Sequence, residues 1–327
     1  MTSRRTVLKS AAVLGAVAPA AWAAPSATPA WPSKPLHLIV PFPPGGSSDF
    51  IARLIGKPLG DLLGTTVVVE NKAGANGIIG AATAAQATDD HTLLLSDMSS
   101  LAISPLVTKE MPYRPEQLKG VTMLAYSPHL LVAHPSVNAS NMAELVALSR
   151  TRPLNVSSAG SGSANHLGVV DIALRSGLQW QHVPFRGGSA ALGDTAAGNT
   201  QLCLNGMLAT LPLVQSGRLK LIGVSKRTRM ALIGNVPTLA EQGVKDFESG
   251  TYQGVAVPAT MPAAMAERLA AALVAVIRQP DVRSRLTGAG AEVMTTTPKE
   301  TTEFLQRESR RWAQVIQQAG AQLEGNA

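Results

Sequence analysis

Leu36-His37-Leu38-Ile39-Val40-Pro41-Phe42-Pro43-Pro44-Gly45-Gly46-Ser47-Ser48-Asp49 passes from strand to turn to helix within one short stretch. The apolar run 36–41 reads as a buried strand. Two prolines and two glycines then stop it, because proline lacks an N–H for the ladder and glycine opens backbone angles closed to other residues. Over 48–63 the apolar residues Ile51, Leu54, Ile55, Leu59, Leu62 and Leu63 share one helical face. Pro58 interrupts that helix, and Asp49 sits where a helix start favours a carboxylate.

Similar apolar runs recur at 65–70, 92–96, 121–126, 130–134, 154–157, 181–185, 200–204, 219–225 and 252–257. Several are apolar at consecutive positions, the pattern of strands covered on both faces. Amphipathic segments lie between them. Asn141 with Glu144 reads as a cap with a returning carboxylate. Thr297-Pro298-Lys299-Glu300 is a fuller start signal, followed by a stripe of Phe304, Leu305, Trp312, Val315 and Ile316 that Gly320 can end. The alternation predicts an α/β protein with mainly parallel sheets.

The chemistry is concentrated at the junctions. Glycine and hydroxyl residues precede a helix at Gly45-Gly46-Ser47-Ser48, again at Ser157-Ser158-Ala159-Gly160-Ser161-Gly162-Ser163-Ala164-Asn165-His166, and again at Pro184-Phe185-Arg186-Gly187-Gly188-Ser189. A fourth loop, 70–77, ends in Asn76-Gly77 and also suits an ordinary turn. Glycine lets backbone approach a guest closely, and a helix start offers unpaired N–H groups and positive dipole. Such termini accept carboxylate or phosphate, and in open α/β sheets they gather outside the carboxyl ends of the strands.

Composition narrows the classes. The 327 residues are 45% hydrophobic and 15% charged, enough for about two domains with real cores. Aromatics are only 4%, and no dense Lys/Arg block occurs, which argues against nucleic acid as a partner. Cys203 is the single cysteine and lies in an apolar run, so it reads as a strand residue. The histidines His37, His91, His129, His134 and His182 lack ligand spacing, and no metal or cofactor is expected. Gly160-Ser161-Gly162-Ser163-Ala164 departs from the Gly-x-Ser-x-Gly of a secreted α/β hydrolase, and no third glycine completes a dinucleotide fingerprint.

The N-terminus reads as an address. Arg4, Arg5 and Lys9 precede the apolar stretch 11–18, and Ala21-Trp22-Ala23 forms a small-residue cleavage site. Residues 1–23 are therefore expected to be an export signal, by the twin-arginine or the Sec route, with the mature protein in the periplasm. Removing those three cations from a net charge of +7 leaves +4, a modest excess that favours small anions.

At the junctions the sequence resembles a known family. The segments 41–49, 68–74, 158–166 and 183–187, with Val236-Pro237-Thr238, Glu241, Gly243 and Gly254 to Pro258, are similar to the Bug family of periplasmic receptors of tripartite tricarboxylate transporters. The likeness runs from about Trp31 to Gly320. It implies a two-domain, type II periplasmic-binding-protein fold with the ligand cleft between the domains. One domain would be 31–127 plus 250–327 and the other 128–249, with crossovers near 126–130 and 250–252. It implies capture of a di-/tricarboxylate or aromatic acid for uptake or sensing, without catalysis, with a membrane permease as the partner in uptake; a monomer is expected. Carried onto this chain, the ligand-binding residues are Phe42, Gly45, Gly46 and Ser47; Asn76 and Gly77; Ser161, Gly162, Ser163 and His166; Phe185, Arg186 and Gly187; and Asn205. The family usually has Asp at Asn205, where an ammonium would be held, so an α-amino acid is disfavoured. Ser96-Asp97 is unusual in its loop and is placed to line the cleft.

Some single residues keep more than one reading. His166 suits ligand contact, bracing of its loop, or a bond to nearby backbone. Arg186 suits a second carboxylate of the ligand or a surface ion pair. Phe42 suits a cover over the ligand or a plug beneath its loop.

Overall fold

The computed structural model describes residues 31–320 and Leu323. The export-signal expectation, 1–23, lies outside the described residues. The body that carries the architecture begins at Pro32.

The chain opens as its sequence predicts. Strand β1 (Leu36–Val40) leads through the Pro-Gly turn into α1 (Ser47–Leu63), which carries Pro58 within it and ends on Gly64 in the left-handed region. Then follow β2 (Val67–Asn71), α2 (Ile78–Ala85), β3 (Thr92–Asp97) and α3 (Met98–Val107). β1 pairs in parallel with both β2 and β3. β1 and β3, flanked by helices, are buried on both faces, and Leu36, Leu38, Val40 and Leu93 to Leu95 lose all contact with water, while the edge strand β2 is only half-buried.

β4 (Leu118–Ala133) is one continuous strand where the sequence predicted two, at 121–126 and 130–134. Pro128 had marked a break. It is accommodated because the strand changes partners there. Up to Pro128, β4 runs antiparallel to β9 (Gly250–Pro258); from His129 it runs antiparallel to β7 (Leu202–Gly206), and from Leu130 to β8 (Lys220–Val224). Between these lie α4 (Met142–Ser149), β5 (Leu154–Ser158), α5 (Ala164–Ser176), β6 (Trp180–Pro184), α6 (Gly188–Ala196) and α7 (Met207–Gln215). The strand order is β2-β1-β3-β9-β4-β7-β5-β6, with β8 also on β4.

The sheet is therefore mixed, not mainly parallel. Parallel pairing holds at β1–β2, β1–β3, β5–β6 and β5–β7, while β4 and β9 are antiparallel to every neighbour. These two long strands carry the chain between two βα units, and an alternation pattern cannot report their direction.

The C-terminal part adds α8 (Ala263–Ile277), α9 (Pro280–Gly288), the short β10 (Glu292–Val293) on β4, and α10 (Pro298–Ala319). α10 starts with the capping box expected of it. The Thr297 hydroxyl accepts the Glu300 N–H at 3.2 Å, and the Glu300 carboxylate accepts the Thr297 N–H at 2.7 Å. Asn141 caps α4, its side-chain oxygen accepting from Glu144 N at 2.9 Å, while the Glu144 carboxylate accepts from Ser140 N at 2.6 Å. α10 packs on α3, β4 and α5. Its Trp312 enters a cluster with Ile103, Leu167, Trp180 and Phe247, so this helix ties both sheet regions together. Each such large apolar side chain contributes about 1.5–3 kcal/mol on burial.

Candidate functional site

The helices that follow the three glycine–hydroxyl junctions begin around one hollow. α1 starts after Gly46 and α6 after Gly187, neither with a side-chain cap, so their first N–H groups are not taken by a capping side chain. α5 is capped by Ser163, whose hydroxyl accepts the His166 N–H at 3.1 Å. An inner chamber of about 50 Å³ is bounded by residues from all three starts: Gly46 and Ser47, Ser163, and Gly188 and Ser189. An outer chamber of about 420 Å³ adjoins it, with Phe42, Pro43, Asn76 and Ala159 on the wall of both.

The loops meet closely. A Cβ on Gly187, which has φ +115°, would lie 2.9 Å from Pro43 Cδ on the opposite loop. Gly162, at φ +73°, leaves no room either: a Cβ there would lie 2.4 Å from Val107 Cγ2. These two glycines are needed for both angle and space.

Most of the residues expected to bind ligand reach these walls. Phe42, Gly46, Ser47, Asn76, Ser163 and Asn205 line the inner chamber. Gly77, Ser161, Phe185, Arg186 and Gly187 line the outer one. Phe42 stands on the wall shared by the two chambers. Gly45, Gly162 and His166 line neither chamber.

Those three have identifiable work. Gly45 takes the turn at φ +81° and donates its N–H to Asp49 at 3.0 Å. Burial works against the charge of Asp49, but hydrogen bonds from Arg53, Gly45 and Asn71 outweigh it and hold the carboxyl below its usual range. His166 is turned into the lobe. Its Nδ1 accepts the Gly162 N–H at 3.0 Å, its Nε2 reaches the Leu323 carbonyl at 2.6 Å, and its ring stacks on His182 at 3.9 Å. Of its readings, the geometry shows bonds to backbone, and the one to Gly162 braces the loop.

Arg186 is exposed, with no carboxylate within ion-pair distance among the described residues. Asn205 is tied back, its side-chain oxygen accepting from Asn165 Nδ2 at 2.7 Å, and a Cβ on Gly188 would lie 2.4 Å from that oxygen.

Electrostatics of the inner wall turn on Asp97. It is buried at the end of β3, where it caps α3, and it is the one ionisable side chain on the described inner wall. One carboxylate oxygen accepts from Ser99 N at 3.2 Å and Tyr252 N at 3.0 Å, and the other from the Ser100 hydroxyl at 3.3 Å. Burial nevertheless raises its pKa to about 7, against those bonds. Behind the wall, His129 bonds Ser249 Oγ at 2.9 Å and Thr251 Oγ1 at 3.3 Å; burial pushes its imidazole down to about 3, so it stands neutral.

Sequence reasoning missed Gln253, Thr251, Ser100 and Asn165, all on the inner wall. Gln253 carried a signal: it is the lone polar side chain in an otherwise apolar or small run, Tyr252 to Val257, that is buried throughout its centre. Thr251, Ser100 and Asn165 look like ordinary strand-end or helix-start residues and carried none.

Two lobes on a shared sheet, with helix starts from both facing one hollow, define the two-domain α/β fold of periplasmic binding proteins. The chain belongs to the family of tripartite tricarboxylate transporter receptors, whose profile matches residues 51–321. It is 34% identical to protein BugT of Bordetella pertussis over 319 residues, 96% of this chain and 98% of that one. Among solved structures it is similar to Rpa4515 of R. palustris with adipate, at TM-score 0.85 and 28% identity, covering 89% of this chain and 98% of that one. It is likewise similar to MatC of Rhodopseudomonas palustris with bound malate, at TM-score 0.82 and 28% identity, covering 88% and 100%.

Proposed function

We propose that this chain is a non-enzymatic receptor that captures a small organic carboxylate between its lobes in the periplasm and passes it, as a monomer, to a membrane permease. The observation that carries this reading is the convergence of three helix starts on one chamber that holds no lysine or arginine among its described wall residues. Each favourable helix terminus contributes about 0.3–1 kcal/mol toward an anion, and up to about 2 when partly buried. Together they can hold a carboxylate without a metal or a cluster of arginines. Family membership and the adipate and malate bound by two similar structures support the same class of guest.

Ligand contact is assigned to Phe42, Gly46, Ser47, Asn76 and Ser163 in the inner chamber and to Ser161, Phe185 and Arg186 in the outer one. Gly45, Gly162 and His166 shape the loops. The lobes are taken as 31–127 plus 250–327 and 128–249. The change of partners along β4 at Pro128–His129 and the start of β9 at Gly250 support this division. Among the described residues no helix is long and apolar enough to cross a membrane.

A thermal-shift panel of di- and tricarboxylates and aromatic acids tests the reading, with turnover of a chromogenic ester as the control for hydrolysis. At least one carboxylate should raise Tm by an amount that grows with concentration. A panel without any shift, or ester turnover abolished by Ser161→Ala, overturns it.

A further inference from the structure

The inner chamber holds two side chains whose polar atoms have no partner. Gln253 is 1% exposed, and neither its amide nitrogen nor its amide oxygen has a hydrogen-bond partner among the described residues. Asn76 is half-buried as a residue, but both its amide atoms are buried and likewise unpaired. Both residues line the same wall. Buried amides are nearly always paired in folded proteins, and leaving one unpaired costs more than a typical hydrogen bond gains. Two on one small chamber are groups set aside for a guest.

Their placement is fixed by the fold. Gln253 on β9 is the register partner of Asp97 on β3, and residues directly opposite in an antiparallel pair rise on the same face. Asp97 does not satisfy the amide: no hydrogen bond joins the two side chains, and its oxygens accept from Ser99, Ser100 and Tyr252 instead. Asn76 is held in the left-handed region at φ +51° and ψ +37°, between Gly74 and Gly77, themselves at positive φ. That conformation is uncommon outside glycine and brings the amide to the chamber rather than to its own backbone.

The chemistry of an amide decides what it fits. Each offers two N–H donors and a carbonyl acceptor. A carboxylate accepts only. It satisfies the N–H groups but leaves the amide oxygens facing negative oxygen, with Asp97 beside them. A hydroxyl or a carboxamide both donates and accepts, and satisfies both ends.

We infer that Gln253 and Asn76 select, among small carboxylates, those that carry a neutral hydroxyl or carboxamide group, which enters the inner chamber between the two amides. This rests on the carboxylate-receptor reading above and names its specificity.

Isothermal titration against matched sets tests it. The sets are C4, C5 and C6 dicarboxylates, each with its hydroxy-substituted and mono-amide analogues. For at least one chain length, the hydroxy or amide member should bind about tenfold or more tighter than the plain acid, the size of one buried hydrogen bond to an otherwise unmet group. Gln253→Met keeps the volume and removes the amide, and should bring that ratio below about threefold. Asn76→Gly retains the backbone conformation and should reduce the ratio in the same direction. Melting curves without ligand establish that both variants fold, and either folded variant suffices. Equal binding of plain and substituted acids by the native protein, or a ratio unchanged in a folded variant, overturns the inference and leaves the receptor reading standing. Binding of no member at all removes the receptor reading itself.

Discussion

His166 Nδ1 accepts the N–H of Gly162 at 3.0 Å, so a buried imidazole braces the loop that leads to the start of α5. With the Leu323 carbonyl at its other nitrogen, the ring serves both partners as the neutral tautomer protonated at Nε2. His166→Ala leaves the Gly162 N–H buried without its acceptor, at a cost of about 1–3 kcal/mol. A lowered Tm is expected, with ligand affinity reduced by a similar factor for every carboxylate that binds. Titration across the panel checks this; a loss confined to one ligand would show that the ring meets the guest directly.

The same loop gives a steric prediction. Gly162→Ala must place a Cβ 2.4 Å from Val107 Cγ2 and hold an L-residue at φ +73°. The backbone penalty and the overpacking together should cost about 1–3 kcal/mol, read as a lower midpoint in urea with m unchanged. Gly64→Ala carries the φ +73° strain with nothing within 4 Å of the new Cβ, so it should cost less. Equal losses would mean that the contact with Val107 is soft.

Asp97 makes stability and binding depend on pH. Burial raises its pKa in the folded protein to about 7 from an ordinary 3.8. Between those values the folded chain holds a proton that the unfolded chain has released. The group's contribution to stability therefore declines as pH rises from about 4 through about 7, and levels off above. Asp97→Asn keeps an oxygen for the cap of α3 and removes the charge. The Tm of the variant relative to the native protein should rise between pH 5 and pH 8. Carboxylate affinity should fall over the same range in the native protein, as Asp97 acquires charge beside the guest, and stay flatter in the variant. A Tm gap independent of pH would place the proton elsewhere.

Arg186 is exposed at the mouth of the outer chamber, so water screens it and its effect is modest. Arg186→Ala should weaken a dicarboxylate long enough to reach the mouth by about two- to fivefold, and leave a monocarboxylate unchanged. The difference should shrink at 0.5 M salt. Titrations of both ligands at two ionic strengths check this. Equal effects on mono- and dicarboxylate would show that Arg186 does not meet a second carboxyl group.

Local chemistry was legible because it is written in neighbouring residues. The Pro-Gly turn before α1, the Thr297–Glu300 capping box, the Asn141 cap and the burial of Cys203 depend on contacts a few residues apart or on an apolar run, and all stand as the residues imply. The glycine–hydroxyl junctions also stood out as places where backbone N–H groups are left free. Tertiary structure alone decided what depends on direction and partner. The alternation of strands and helices does not encode which way β4 and β9 run, nor that one strand passes through Pro128 by changing neighbours. A histidine at a helix start looks the same whether its ring faces a ligand or, as His166 does, the lobe behind it. Gln253 became a site residue only when β9 was laid beside β3, because a side chain's unmet hydrogen bonds are counted in space and not along the chain.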